Sequence, residues 1–440
     1  MPKVTTQISS PRQLRQRVEK PNTDTKQNIN SKTEKKDKSV KSEKPHKMPR
    51  HVEGFPLPNL LNEEIGDVFV VGSGDCDQLG LGEDVREKEK FGKLAYFDDK
   101  DIVKVVAGGM HTVAISKQGK LYSWGCNDEK ALGRAGEQDV PLPITALEHE
   151  TIVQVCCGDN CTAALTADGR VYNWGSFRSS TGSFGIKGGI MEKDGIRVTN
   201  PLLVKDLNHI KFIAAGSNHL VAIGHDGKIY TWGIGEQGQL GRKILQRFEY
   251  NASLTPRVIN FKPKGKSSKF IKAYAGSFHT FFVHESEEVY ACGLDNYGQL
   301  GLAKTSYEVN HTPEKVEGDF NGVNFISAGE HHSLLLDNEG KIFSFGRGDS
   351  GQLGHDDEKD KNFPELLNNI PLASQITCGS NFSLAITADQ SAGDNLYGWG
   401  YGEMGQLANG GQDETTPANI KVGGRVVIGI TAGGQHTVAF

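Results

Sequence analysis

A short phrase returns seven times along this chain: a glycine, a polar loop, and then Leu-Gly or what remains of it. It reads GDCDQLG at 74–80, GCNDEKALG at 125–133, GIGEQGQLG at 233–241, GLDNYGQLG at 293–301, GRGDSGQLG at 346–354 and GYGEMGQLA at 400–408. After Trp174 it is stretched into GSFRSSTGSFG at 175–185. Between these loops an Ala-Gly or Cys-Gly pair recurs, with its glycine at Gly108, Gly158, Gly216, Gly276, Gly329, Gly379 and Gly433, at spacings of 50 to 60 residues. Self-similarity at that period marks a propeller or a solenoid, because one unit cannot bury its own apolar face and must stack on its neighbours.

Each unit reads as four short strands. In the stretch VVAGGMHTVAISKQGKLYSWG at 105–125, apolar runs of four to six residues are bounded by glycine and polar turns, which favours strands over helices. Four-stranded antiparallel sheets set radially around an axis leave few open edges, so the expected fold is an all-β propeller with little helix. The two ends predict how the ring closes. The chain stops at Phe440 after the front half of a repeat, ITAGGQHTVAF, and the stretch DVFVVGSGDCDQLGLG from Asp67 supplies only a back half. Joined, they make one blade, giving seven in all, and deleting either terminal strand should open the ring.

The repeat also settles what several conspicuous residues are for. Trp124, Trp174, Trp232 and Trp399 occupy one repeat position and are expected in the core. His111, His219, His279, His332 and His436 share another. Because they fall in different blades, each is expected to hydrogen-bond backbone within its own blade rather than to gather as metal ligands or bases. GxGxxG occurs at Gly233, Gly346 and Gly400, but a dinucleotide site needs a helix and a parallel crossover next, and here another Leu-Gly turn follows. With no GxxxxGK[ST], HExxH or framed GxSxG, no chemistry on covalent bonds is expected, and no cofactor or metal.

Seven cysteines without a CxxC pair suit a reducing compartment, with Cys157, Cys161, Cys292 and Cys378 as small core residues. No apolar run is long enough for a membrane helix and the polar start carries no secretory signal. Charge divides sharply: residues 1–50 hold 14 Lys+Arg against 5 Asp+Glu, so the remaining 390 positions carry 35 basic and 49 acidic residues. A segment so polar is expected to be a disordered basic tail, suited to phosphate-rich partners or an import receptor, or serving only as a solubilising arm.

The AGxxHT and WGxxxxGQLG phrases in seven copies resemble the regulator of chromosome condensation family. GDCDQLGLGEDVREKEK near Asp75, AGGMHTVAISKQGKLYSWGCNDEKALGR from Ala107, GEQGQLGR from Gly235 and AGGQHTVAF at the end carry that resemblance over 52–440. It implies a monomeric guanine nucleotide exchange factor for the small GTPase Ran, nuclear and chromatin-associated, serving nucleocytoplasmic transport, spindle assembly and nuclear envelope formation. It further implies a GTPase-facing set of Asp75, His111, Asp159, Asn218, Arg242, His331 and His436, with Asn218 standing where the family has an acid. The stretched loop, Phe177, Arg178, Ser179, Ser180, Thr181, Gly182, Ser183 and Phe184, would be a wedge against the GTPase's phosphate-binding loop. On the opposite face Lys262, Lys264, Lys266 and Lys269, with Lys243 and Arg247, would meet the nucleosome, and the tail an import receptor. The competing reading is a propeller that serves only as an interaction scaffold.

Overall fold

The computed structural model describes residues 64–183, 185–186, 190–192, 195–205, 207–244, 253–304, 309–389 and 395–440. The basic segment 1–50, Phe184 and Arg247 lie outside these residues. The described residues form seven antiparallel blades. Six are continuous in sequence: blade 1 at 102–143, blade 2 at 152–203, blade 3 at 210–258, blade 4 at 270–315, blade 5 at 325–366 and blade 6 at 373–420. Blade 7 is stitched from both ends, the strands Ile430–Ala432 and His436–Ala439 pairing with Phe69–Ser73 and Glu87–Lys93. Its seam sets Phe69 opposite Ala439, Val70 opposite Val438 and Gly72 opposite His436. The closure expected from the incomplete end repeats is therefore the closure found. Helical structure among the described residues is limited to single turns such as Ala95–Phe97 and Thr145–Leu147.

Burial runs across each blade from solvent at its outer edge to the packed interior. The outer strand Glu87–Lys93, EKEKFGK, is mostly exposed, whereas the second strand of blade 1, His111–Ser116, is buried at all six positions. Such a strand has a blade on each side, so it reads as a continuous apolar or hydroxyl-bearing run rather than an alternating one. Trp124, Trp174, Trp232 and Trp399 are at most 1% exposed, as core aromatics should be.

The Leu-Gly loop is the joint between blades. Its Gln side chain accepts a backbone N–H of its own loop, as Gln237 N–H bonds Gln239 Oε1 at 2.9 Å. The backbone carbonyl at that position is left for the next blade: Ala131 O accepts both Thr162 Oγ1 and Trp174 Nε1 at 2.8 Å, and Gln352 O accepts Ser383 Oγ and Trp399 Nε1 at 2.9 Å. The glycine that follows is obligatory at Gly133. Its φ is +68°, and a Cβ there would stand 2.6 Å from Trp174 Nε1.

The repeated histidines clasp blade to blade, which corrects the expectation of bonds to backbone within one blade. His111 Nε2 lies 2.8 Å from Thr162 Oγ1, His219 2.7 Å from Thr280, His279 2.9 Å from Ser333, His332 3.0 Å from Ser383 and His436 3.0 Å from Thr112. Since the Thr162 hydroxyl donates to Ala131 O, His111 must be the donor, through Nε2–H. The ring turns outward from its own strand because the preceding glycine has no side chain; a Cβ on Gly108 would be 2.8 Å from His111 Cε1 and 2.2 Å from Gly158 O of the next blade.

The strand directions assign the two faces. Innermost strands run toward the Ala-Gly turns and third strands run toward the Leu-Gly loops, so both loop sets crowd one face. Connections from one blade to the next, including 259–269, fall on the other. Among the described residues blade 2 alone departs from the pattern: it carries a fifth strand, Ile190–Glu192, and a small hairpin, Arg178–Ser179 with Gly182–Ser183.

Candidate functional site

The face that carries both loop sets holds a cavity of about 670 Å³ beside the axis, lined among others by Asp75, Asp159, Arg178, Ser180, Asn218 and Glu236. Three expected site residues, Asp75, Asp159 and Asn218, thus converge from blades 7, 2 and 3 on one depression with the blade 2 hairpin on its edge. Repeat geometry explains the convergence. Asp75 sits in a Leu-Gly loop and Asp159 and Asn218 in Ala-Gly turns, and all such segments end on this face.

Asp159 is held from the next blade. Its backbone N–H bonds Ser217 O at 2.9 Å, and burial, aided by the charge of Glu330 and opposed by a bond from Ser217, lifts its carboxyl above the usual range. It stands at the mouth of the axial channel, whose wall is built from the innermost strands and includes Glu330 and Ser380. His331 lies on the same face in blade 5. Its ring stacks on Phe278 with centroids 5.5 Å apart and meets Tyr297 edge-on at 5.2 Å, and Arg347 lies over the Tyr297 ring at 5.2 Å. Burial holds His331 below the ordinary imidazole range.

Three expected contacts are corrected. His111 and His436 are 0% exposed and engaged between blades, so neither is available to a partner docked on this face. Arg242 is half-buried and turned back on its own blade, bonding Thr231 O at 3.2 Å, with burial pushing its guanidinium down to about 10. It is a brace of the Leu-Gly loop, like Arg134 in blade 1, which reaches Ser123 O at 2.7 Å. The sequence misleads at these positions because a histidine or arginine looks the same whether it faces solvent or a neighbouring repeat.

The stretched loop divides into an anchor and a tip. Phe177 is 0% exposed and packs in the core, not on the surface. Arg178, Ser180, Thr181 and Gly182 are exposed, and a side chain at Gly182 would meet nothing within 4 Å. Asn218 Oδ1 accepts the Arg178 N–H at 2.7 Å, Glu236 Oε2 accepts the Ser180 N–H at 3.2 Å, and Arg178 Nη2 pairs with Glu129 Oε1 at 2.9 Å. Glu129 and Glu236 were not singled out by the sequence; the available signal is an acid within a Leu-Gly loop adjacent to the one stretched repeat.

On the opposite face Lys262, Lys264 and Lys269 are exposed, while Lys266 is half-buried and paired with Glu288, which also holds Lys315 at 3.3 Å. Lys243 is exposed. Among the described residues no cluster of His, Cys, Asp and Glu could hold a metal ion.

Known proteins resemble the chain over nearly the whole ring. The RCC1-like domain family matches residues 67–439. The human protein named Regulator of chromosome condensation is 38% identical over 397 residues, covering 85% of this chain and 90% of that one. The Saccharomyces cerevisiae protein named Guanine nucleotide exchange factor SRM1 is 30% identical over 429 residues, covering 85% and 86%. The crystal structure of Prp20p from the same yeast, described with its binding properties to Gsp1p and histones, superposes with a TM-score of 0.76 at 29% identity, covering 86% of this chain and 92% of that one.

Proposed function

The chain belongs to the RCC1-like domain family, and from that premise we propose that it is a guanine nucleotide exchange factor for the small GTPase Ran. The observation that carries this reading is the exposed blade 2 hairpin standing on the rim of a cavity that also gathers Asp75, Asp159 and Asn218. A GTPase holds its nucleotide through a phosphate-binding loop and a magnesium ion. A rigid polypeptide wedge at that loop, with carboxylates at its flank, competes with phosphate and metal for the same backbone and side-chain groups.

Exchange needs no covalent step. A nucleotide bound at picomolar strength is held by about 16 kcal/mol, and each tenfold gain in release rate requires about 1.4 kcal/mol off the barrier. Binding of the hairpin face supplies this by stabilising a nucleotide-free shape. By linkage, nucleotide weakens the protein complex to the same degree, so the factor accelerates exchange without setting its direction. Asn218 fits this role despite the lost charge, because its amide oxygen accepts the Arg178 N–H as a carboxylate would.

The lysine loop on the opposite face leaves the exchange face free while Lys262, Lys264 and Lys269 meet DNA phosphates or an acidic histone surface. That arrangement supports a reading in which exchange takes place on chromatin, in the nucleus, and the basic composition of segment 1–50 suits an import receptor.

Ran loaded with fluorescent GDP tests the proposal. Substoichiometric protein accelerates release over many turnovers, and Asp159→Ala or His331→Ala slows it by roughly ten- to a hundredfold, equivalent to about 1.4 to 2.7 kcal/mol. No acceleration at any protein concentration sinks the proposal in favour of a scaffold.

A further inference from the structure

At the tip of the hairpin a side chain on Gly182 would meet nothing within 4 Å, so the direction of the tip depends on what holds its base. From the three anchors at that base we infer that Glu129 is a positioning residue, setting the angle of the hairpin through Arg178. The inference rests on the exchange reading above and concerns a residue to which that reading gives no part.

Blade 2 has neighbours on both sides, and each contributes. Blade 3 supplies Asn218 and Glu236, which accept the backbone N–H groups of Arg178 and Ser180. Blade 1 supplies Glu129, whose carboxylate takes the Arg178 guanidinium at 2.9 Å. Two bonds from one side, with Phe177 buried behind them, hold the start of the strand Arg178–Ser179 and leave its outer part the least restrained. The ion pair from the other side removes that freedom. Within the hairpin, Ser179 Oγ bonds Gly182 O at 2.7 Å, so the returning strand moves with the first.

Burial makes Glu129 the lever rather than a contact. Its side chain is 4% exposed while that of Arg178 is 57% exposed. Glu129 therefore presents almost no surface to a docked GTPase, and its effect on exchange passes through the orientation of Arg178. A carboxylate this buried keeps its partner closely, since a buried charge without a counter-ion is costly. Displacement of a reacting or competing group by about 1 Å is enough to reduce a rate by up to about a hundredfold.

The test uses the full chain, Ran carrying fluorescent GDP, and amide hydrogen exchange. In Glu129→Gln the turnover of nucleotide release falls by roughly ten- to a hundredfold, while the KM for the GTPase stays near its wild-type value. The amides of 178–183 exchange faster, and those of the strand His111–Ser116 keep their protection. The double variant E129Q/R178Q releases nucleotide no more slowly than R178Q, because both changes remove one lever. If E129Q is poorly folded, Arg178→Gln, which removes the same ion pair from its exposed end, carries the test through the faster exchange of the amides of 178–183. Wild-type turnover together with unchanged hairpin protection overturns the inference while leaving the exchange reading intact. If the wild-type protein releases no nucleotide, the exchange reading fails, and the hairpin amides alone decide whether Glu129 sets its position.

Discussion

His436 Nε2 lies 3.0 Å from Thr112 Oγ1, so a residue four from the C-terminus clasps the first complete blade and completes the ring that the terminal strands close by pairing. The same clasp recurs between other blades, and where it is missing the histidine is replaced. At the junction of blades 2 and 3 the equivalent positions are Cys161 and Leu220, both buried. At the junction of blades 6 and 7 Phe382 stands in place of histidine, while Thr437 still donates to Gln406 O as the clasped hydroxyls do to their own loop carbonyls. Each clasping histidine faces a hydroxyl that can take the Nε2 proton.

Transplanting the apolar version tests that coupling. His219→Cys removes the partner of Thr280 and leaves space in a packed interface, and is expected to lower unfolding free energy by about 2 to 4 kcal/mol. Adding Thr280→Leu recreates the 161/220 pair and should recover about 1 kcal/mol or more relative to the sum of the single changes. Urea unfolding of the four proteins of the cycle measures it; strict additivity would show the two residues to be independent.

Acid should loosen the ring well above the range where carboxylates titrate. Burial pushes His111 down to about 4 and His219, His332 and His436 down to about 3, from an ordinary 6.5. Between those values the unfolded chain binds protons that the folded ring refuses, so stability is complete above about 6.5 and declines as pH falls toward 3 to 4. Each clasp contributes a slope of about 1.4 kcal/mol per pH unit in that window. Denaturant midpoints from pH 7.5 to 5 should fall steeply, and the His219→Cys/Thr280→Leu protein should fall less steeply by one such increment.

Gly133→Ala should cost more than a left-handed backbone alone explains. Gly133 and Gly410 both have positive φ, +68° and +84°, but a Cβ on Gly410 meets nothing within 4 Å while one on Gly133 strikes Trp174. Gly410→Ala is expected to cost about 1 to 2 kcal/mol, and Gly133→Ala a further 1 to 3 kcal/mol or so from overpacking. Equal losses in chemical unfolding would mean that the indole moves aside freely.

Neutralising the lysine loop should change how nucleosome binding responds to salt. If Lys262, Lys264 and Lys269 each meet a phosphate, the triple alanine variant loses up to about 3 from the slope of log affinity against log salt. Exchange on free Ran should be unchanged, since the loop lies on the face opposite the hairpin. An unaltered salt slope would remove these lysines from the chromatin contact.

Much of the architecture is legible in the chain because a propeller repeats its sequence when it repeats its structure. The incomplete end repeats foretell the seam at Val70 and Val438, and the shared position of the tryptophans foretells their burial. The candidate site is legible only in part. Asp75, Asp159 and Asn218 are found together, yet His111 and His436, which look equally apt, are locked between blades. The adjacent pair His331 and His332 shows the difference within one turn: the first stacks on Phe278 beside the cavity, the second clasps Ser383.

Periodicity and composition by themselves determined that the chain forms a closed ring of β-blades, because glycine spacing and apolar runs are local properties that each repeat states again. Which side chains face a partner was decided only by tertiary structure. Exposure at His111, and the hold of Glu129 on Arg178, depend on residues tens of positions away that the ring brings into contact, and the physical content of a blade junction lies in that pairing rather than in either repeat.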